Sequence, residues 1–172
     1  MRPVPIQLPP HLASRIAADI AARFIGIGNP TLLTEPLLGF IASRQCPGHV
    51  FIETLEHVPQ WAKAGRVLVS GFHSPLEQQV LHSLLRRQGR AVKVVARHLP
   101  TDRDHRPTAE EREPLAQGRL LIVSASPATE TRTTRASALA RNGLVLVLAR
   151  EHWAPRIAPE SPLTALRADD VV

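Results

Sequence analysis

Four short runs, residues 37–42, 66–70, 91–96 and 119–124, are rich in branched apolar side chains and lack the polar alternation of a half-wetted strand. A run without alternation suits a strand covered on both faces. The stretches between them change period. Val50, Thr54, Leu55, Val58 and Trp61 fall at helical spacing across residues 50–64, and Leu76, Val80, Leu81, Leu84 and Leu85 line one face across residues 75–88. Buried strands separated by helices are βαβ units, which dictate a mostly parallel sheet with right-handed crossovers and helices on both faces. The expected fold class is therefore α/β, Rossmann-like, in a single domain.

Proline and glycine punctuate the rest. Prolines at positions 3, 5, 9 and 10 each fix φ and remove a backbone donor, so residues 1–10 are expected to form an extended arm. Leu12, Ile16, Ile20 and Phe24 recur every four residues among alanines, which predicts a helix over 11–24, stopped by Gly26, Gly28, Asn29 and Pro30. Between Leu99 and Gln117, charged residues crowd around Pro107 and Pro114, the pattern of an exposed loop with room for one helical turn. Residues 144–149 satisfy two periods: their branching favours a strand, yet they continue a helical register from Ala136, Leu139 and Ala140. Beyond Pro155, Pro159 and Pro162 and the Asp169-Asp170 end read as a last strand and then a loose tail over 163–172, leaving 11–162 as the folded domain.

At 172 residues the chain is long enough for one domain with a proper core. An apolar share of 44% and a charged share of 21% exclude a disordered or collagen-like chain. Cys46 is the only cysteine, which rules out an internal disulfide and a cysteine cage for zinc, fits a reducing compartment and leads to an expected cytoplasmic location. No stretch reaches the roughly 18 uninterrupted apolar residues of a membrane span, and Met1-Arg2-Pro3 leads into proline-broken sequence in place of a signal core. The formal charge of +6 is uneven, with thirteen basic and six acidic residues in 82–150. Such a block suits an anionic partner, because basic side chains displace counterions from phosphates. A GC-rich genome would also enrich arginine, alanine and proline without any anionic partner.

Ligands of open α/β sheets sit beyond the carboxyl ends of the strands, where loops lead into helix N-termini. The first such exit carries Ser43, Arg44, Gln45 and Gly48; the second Ser70, Gly71, Phe72 and His73, followed by Ser74-Pro75-Leu76-Glu77; the third Ser124 and then a hydroxyl- and arginine-rich stretch that includes Arg132. Each has a plainer explanation. Ser74-Pro75-Leu76-Glu77 is a capping box, Ser43 and Ser124 can tie off strand ends, and Gly71 can provide a tight turn. Cys46 has no base beside it in sequence, and His73 is a lone loop histidine. The histidines show no metal-ligand spacing, and the dinucleotide glycine fingerprint, the P-loop and the Gly-x-Ser-x-Gly elbow are all missing, so neither a metal nor a cofactor is expected. Aromatic residues at 3% and the lack of Tyr argue against a stacking platform, so nucleic-acid contact would fall to Arg, Ser and Thr at phosphates.

Taken in order, Phe40-Ile41-Ala42-Ser43-Arg44, Val67-Leu68-Val69-Ser70-Gly71-Phe72 and Arg141-Asn142 resemble the DNA-processing protein A family (DprA, also called Smf), within the wider SLOG group of Rossmann-like nucleotide-binding domains, over residues 37–162. Gly28-Asn29-Pro30-Thr31-Leu32-Leu33, Ser43-Arg44-Gln45-Cys46-Pro47-Gly48 and Ser70-Gly71-Phe72-His73-Ser74-Pro75-Leu76-Glu77 look like a small bacterial DprA-like subgroup. The family's Gly-Ser-Arg falls on Ala42, Ser43 and Arg44, its Ser-Gly on Ser70 and Gly71, its acidic helix-start residue on Glu77, a following His on Leu81, and its Arg-Asn-Arg on Arg141, Asn142 and Gly143. The resemblance implies a pocket for the phosphate of single-stranded DNA or of a nucleotide, with Arg44 and Arg141 as forked donors and Ser43, Ser70 and Ser124 as neutral ones. It further implies DNA processing or recombination, delivery of DNA to a RecA-type recombinase, a homodimer, a helix ending over 141–149 and a last strand at 153–158. Three positions depart from the pattern: Ala42 replaces Gly, Gly143 replaces an arginine and Leu81 replaces the His.

Two other readings stay open. A nucleotide-cleaving enzyme would use Glu77 as acid or base with His73 assisting, although the Pro-Gly-Gly-x-Gly-Thr loop of the related phosphoribohydrolases is missing. A domain that senses a nucleotide signal would bind a mononucleotide and no DNA. Binding by itself calls for no catalytic residue.

Overall fold

Leu37, Val67, Val69, Val92, Leu121 and Val123 belong to one buried apolar cluster, and Leu38, Phe40, Leu68, Ala91, Leu120 and Ile122 to another. Successive residues of each strand therefore bury themselves on opposite sides of one sheet, which is why their sequence shows no polar alternation. The computed structural model describes residues 1–155. Among these, the sheet has seven strands, β1 (Val4–Pro5), β2 (Ile25–Gly28), β3 (Leu37–Phe40), β4 (Val67–Ser70), β5 (Arg90–Val94), β6 (Leu120–Ser124) and β7 (Glu151–Trp153), in the order β1-β2-β6-β5-β4-β3-β7. Strands β6, β5, β4, β3 and β7 run parallel, with Leu38 opposite Leu68, Val69 opposite Val92 and Val92 opposite Leu121. The α/β class and the mostly parallel sheet are as expected.

The helices sort by the direction of the crossovers. Steps from β3 to β6 move one way along the sheet and carry α3 (Gly48–Lys63), α4 (Pro75–Arg86) and α5 (Ala109–Ala116) onto one face, where Val58, Leu76, Val80, Leu84 and Leu115 pack. The return from β6 to β7 carries α6 (Arg135–Leu148) onto the other, where Val145 and Leu148 pack with Leu12, Ile16 and Phe24 of the N-terminal segment. Residues 144–148 thus complete a helix, with Ala149 as its extended C-cap, and their branched side chains serve packing.

Four expectations need correction. The helix over 11–24 is two single turns, α1 (Pro10–Ala13) and α2 (Ala18–Ala21), neither with a side-chain cap. Each is too short to stand alone, and burial of Leu12, Ile16 and Phe24 against the sheet sets its path. Gly26 and Gly28 do not merely stop a helix: they lie in β2, antiparallel to β6, and the N-terminal arm adds β1 antiparallel to β2. The charged stretch 99–117 contains the two-turn α5, started by a Thr108/Glu111 capping box. The last strand begins earlier than expected, with β7 at Glu151–Trp153; positions 156–158 and the expected tail at 163–172 lie outside the described residues.

Glu111 also makes a measurable tie between α5 and β5. Its Oε1 accepts from Lys93 Nζ at 2.8 Å and its Oε2 from the Thr108 amide at 2.9 Å. Burial pushes the Glu111 carboxyl up, but the Lys93 and Thr108 bonds outweigh it and hold it below the ordinary 4.5. A depressed folded pKa contributes stability that is present above the unfolded value and lost as pH falls through the folded one. Urea midpoints of the wild type should therefore fall steeply below pH 4.5, and those of Glu111→Gln less steeply. Parallel acid limbs in the two proteins would deny Glu111 this role.

Candidate functional site

Parallel strands end at one edge, so the segments after β3, β4, β5 and β6 lie along one rim. The exits carrying Arg44, Gly71 and Ser124 are thereby brought to the same side of the sheet.

Glu77 joins two of these exits. The residue is only 3% exposed. Oε1 accepts from the Ala42 amide at 3.0 Å, and Oε2 accepts from the amides of His73 at 2.7 Å and Ser74 at 3.1 Å. The Ser74 hydroxyl closes the capping box by accepting from the Glu77 amide at 3.3 Å. One side chain thus starts α4 and also clasps the end of β3 to the end of β4. With both oxygens taken up by backbone donors, it is not set up as a general acid or base, and His73 beside it is exposed.

Inside this clasp the chain is strained. Phe72 is buried with φ 47°, a left-handed conformation costly for a bulky residue, and its amide donates to Ser70 Oγ at 3.1 Å. Gly71 beside it has no room for a side chain, because a Cβ there would collide with the guanidinium of Arg141. Arg141 comes from α6, is 8% exposed, and gives its Nε to Asn142 Oδ1 at 2.8 Å. Its terminal nitrogens hydrogen-bond to nothing among the described residues. Burial pulls its pKa down and the charge of Glu77 pulls it back up. A guanidinium laid over a strand exit with its fork unengaged is a donor pair for a planar or tetrahedral oxyanion.

The other expected residues divide. Arg44, Gln45, Gly48 and Arg132 are exposed along the rim, and Ser43 is buried at the end of β3. Ser70 holds its own loop as described. Ser124 does likewise, donating to the Arg97 carbonyl at 2.7 Å and accepting from the Ser126 amide at 3.1 Å, so its hydroxyl is committed to tying β5 to β6. Cys46 is half-buried, and burial pushes its thiol up, away from the nucleophilic thiolate. Among the described residues no three His, Cys, Asp or Glu side chains gather as metal ligands, and no helix is long and apolar enough to cross a membrane.

The arginines separate by edge. At the amino ends of the strands, Arg66 pairs with Glu151 and Arg90 with Glu35, both at 2.9 Å, while Arg119 donates to the carbonyls of Leu85 and Gly89. At the carboxyl edge, Arg44, Arg97 and Arg132 have no ion pair or side-chain hydrogen bond among the described residues. Arg97 lies with Arg103 and Arg106 around a cavity of about 240 Å³ below Pro3. A larger cavity of about 570 Å³ opens between the α1–α2 segment, α6 and the exits of β5 and β6, with Arg15, Arg23 and Arg141 in its lining. Arg15 and Arg23 gave no sign of this in the sequence, because their place depends on the antiparallel β2 that turns residues 11–24 across the sheet.

No family model and no curated protein sequence matches the chain. Solved structures do. The X-ray structure of DNA processing protein A from Streptococcus pneumoniae superposes with a TM-score of 0.68 at 24% identity, covering 92% of this chain and 55% of that one. The fold is the DprA fold. DNA processing protein A from Helicobacter pylori, whose structure is described for a single-stranded DNA binding mode, gives a TM-score of 0.70 at 20% identity over 94% of this chain and 74% of its own. The chain thus spans about half the length of the pneumococcal DprA.

Proposed function

We propose that this chain binds single-stranded DNA through its phosphates along the carboxyl edge of the sheet, as a DprA-like DNA-processing protein. The observation that carries the reading is Arg141: a buried guanidinium held over Gly71, its terminal nitrogens without a hydrogen bond among the described residues, on a rim where Arg44, Arg97 and Arg132 have no ion pair among those residues. Phosphate recognition needs this excess of unpaired, forked cations. Ser43, Gln45, Gly48 and Asn142 belong to the same proposed surface. The structural likeness to a DprA described with single-stranded DNA supports the choice of strand. Delivery to a RecA-type recombinase and homodimer formation belong to the same reading. Glu77, occupied by backbone amides, favours it over nucleotide cleavage.

A fluorescence-anisotropy titration with a labelled 20-nucleotide single strand tests it. Four phosphate contacts, one for each of these arginines, predict that log affinity falls with log salt at a slope of about −3. No binding at low salt, or binding indifferent to salt, would overturn the proposal.

A further inference from the structure

The loop that leaves β5 folds around the smaller cavity, of about 240 Å³, which shares no lining residue with the larger one. Part of its wall is apolar, with Pro3 and Leu99 buried and Pro100 half-buried. Its polar lining is unbalanced. Arg97, Arg103 and Arg106 have no ion pair or side-chain hydrogen bond among the described residues. Asp104, the one acid among the described lining residues, is engaged by the N-terminal arm, at 3.6 Å from the Met1 amine and 4.0 Å from Arg2 Nε. The arm is tied to the same loop by a bond of 2.9 Å from the His105 amide to the Met1 carbonyl. It thereby takes up the carboxylate that would otherwise neutralise a lining arginine. His105 completes the basic wall. Its Nε2 is shut off from solvent with no hydrogen-bond partner among the described residues, a state that native folds rarely leave standing. Burial lowers the His105 pKa, Glu111 raises it, and Arg97, Lys93 and the amino terminus lower it again, so the imidazole is mostly neutral at pH 7.

We propose that this cavity takes the terminal phosphomonoester of the bound strand, gripped by Arg97, Arg103 and Arg106, so that the protein tells a phosphorylated strand end from an internal phosphate. The proposal rests on the strand reading and adds recognition of an end. Size argues for a terminal group. The cavity lies below the range of about 300–1,000 Å³ of small-ligand pockets, so it suits a phosphate better than a whole nucleotide. An internal phosphate would also need room for a sugar on each side. Charge argues the same way: a phosphomonoester carries nearly two negative charges at pH 7 and three terminal oxygens, where a diester has a single charge and fewer free oxygens. Three guanidiniums supply more forked donors than a diester can accept, and a dianion matches the surplus that the lining leaves. His105 has a ring nitrogen to spare for the same group once its ring turns toward it.

The test compares an internally labelled single strand bearing a 5′-hydroxyl, a 5′-phosphate or a 3′-phosphate, in wild type and in the double variant Arg103→Gln/Arg106→Gln. Both arginines are exposed and make no side-chain hydrogen bond among the described residues, so the variant should fold as the wild type does, which its urea midpoint checks. In the wild type at least one phosphorylated strand should bind about tenfold more tightly than the hydroxyl strand, with a salt slope steeper by about one. In the variant all three should bind alike, at the wild-type affinity for the hydroxyl strand. Equal binding of the three by the wild type, or a preference that persists in the variant, would overturn the proposal and leave the strand reading intact. If no strand binds, the strand reading fails and a thermal shift with deoxyribose 5-phosphate decides the cavity. A rise in Tm that the variant lacks would keep it as a phosphomonoester site; no rise, or one that the variant shares, would overturn it as well.

Discussion

Glu77→Ala should lower folding stability by about 3–5 kcal/mol, the largest loss expected of a single polar substitution in this chain. The buried amides of Ala42 and Ser74 and the part-buried amide of His73 would each lose their acceptor, and an unsatisfied buried donor costs about 1–3 kcal/mol. The vacated space would admit some water and relieve part of the sum. Glu77→Gln should fall between, since its oxygen can serve one exit while its amino group faces donors at the other. Urea denaturation followed by circular dichroism checks the order of wild type, Gln and Ala. A Glu77→Ala protein within 1 kcal/mol of wild type would mean that the clasp between β3 and β4 is not held by this carboxylate. Because the strained Phe72 turn sits inside the clasp, single-strand affinity of the folded fraction should fall as well.

Arg141→Met has the opposite profile. The substitution removes a buried charge with a single hydrogen bond among the described residues, so stability should change by less than about 1 kcal/mol; desolvating the guanidinium was itself costly. Single-strand affinity at low salt should nonetheless drop about 10- to 100-fold, in line with the roughly 1.5–3 kcal/mol of a charged hydrogen bond, and the salt slope should shrink by about one contact. Arg141→Lys keeps the charge but not the fork, and should recover the slope with only part of the affinity. Anisotropy titrations at several salt concentrations read both quantities. Loss of affinity with the slope unchanged would show that Arg141 acts through the shape of the β4 exit and not on a phosphate.

Strands β3, β4, β5 and β6 were legible because they are buried on both faces and carry their signal in four or five consecutive residues, as Leu120–Ser124 does, whereas the three-residue, largely exposed β7 was not. The start of α4 was legible because Ser74, Pro75 and Glu77 satisfy local rules within one turn. What escaped depends on distant partners. β2 looks like a breaker, Gly-Ile-Gly, until β6 lies beside it, and α1 and α2 take their paths from burial and not from propensity. In the site, the sequence put Arg44, Gly71 and Arg141 near strand exits and Glu77 in a capping box, but not the Arg141 guanidinium on Gly71, nor the Ala42 amide on Glu77, since both contacts join residues 35 or more positions apart. Ser70 and Ser124 sit where a ligand hydroxyl would, and only their bonds to their own loops show that they are spent on the fold.

The central claim is one of location: the anion binds at the carboxyl edge. Amide hydrogen exchange with and without saturating single-stranded DNA reads it directly. The account predicts new protection at residues 43–48, 71–74 and 125–134, with none at the opposite turns around Gly65, Gly89 and Gly118; protection at those turns, or no change at the carboxyl edge, would contradict it.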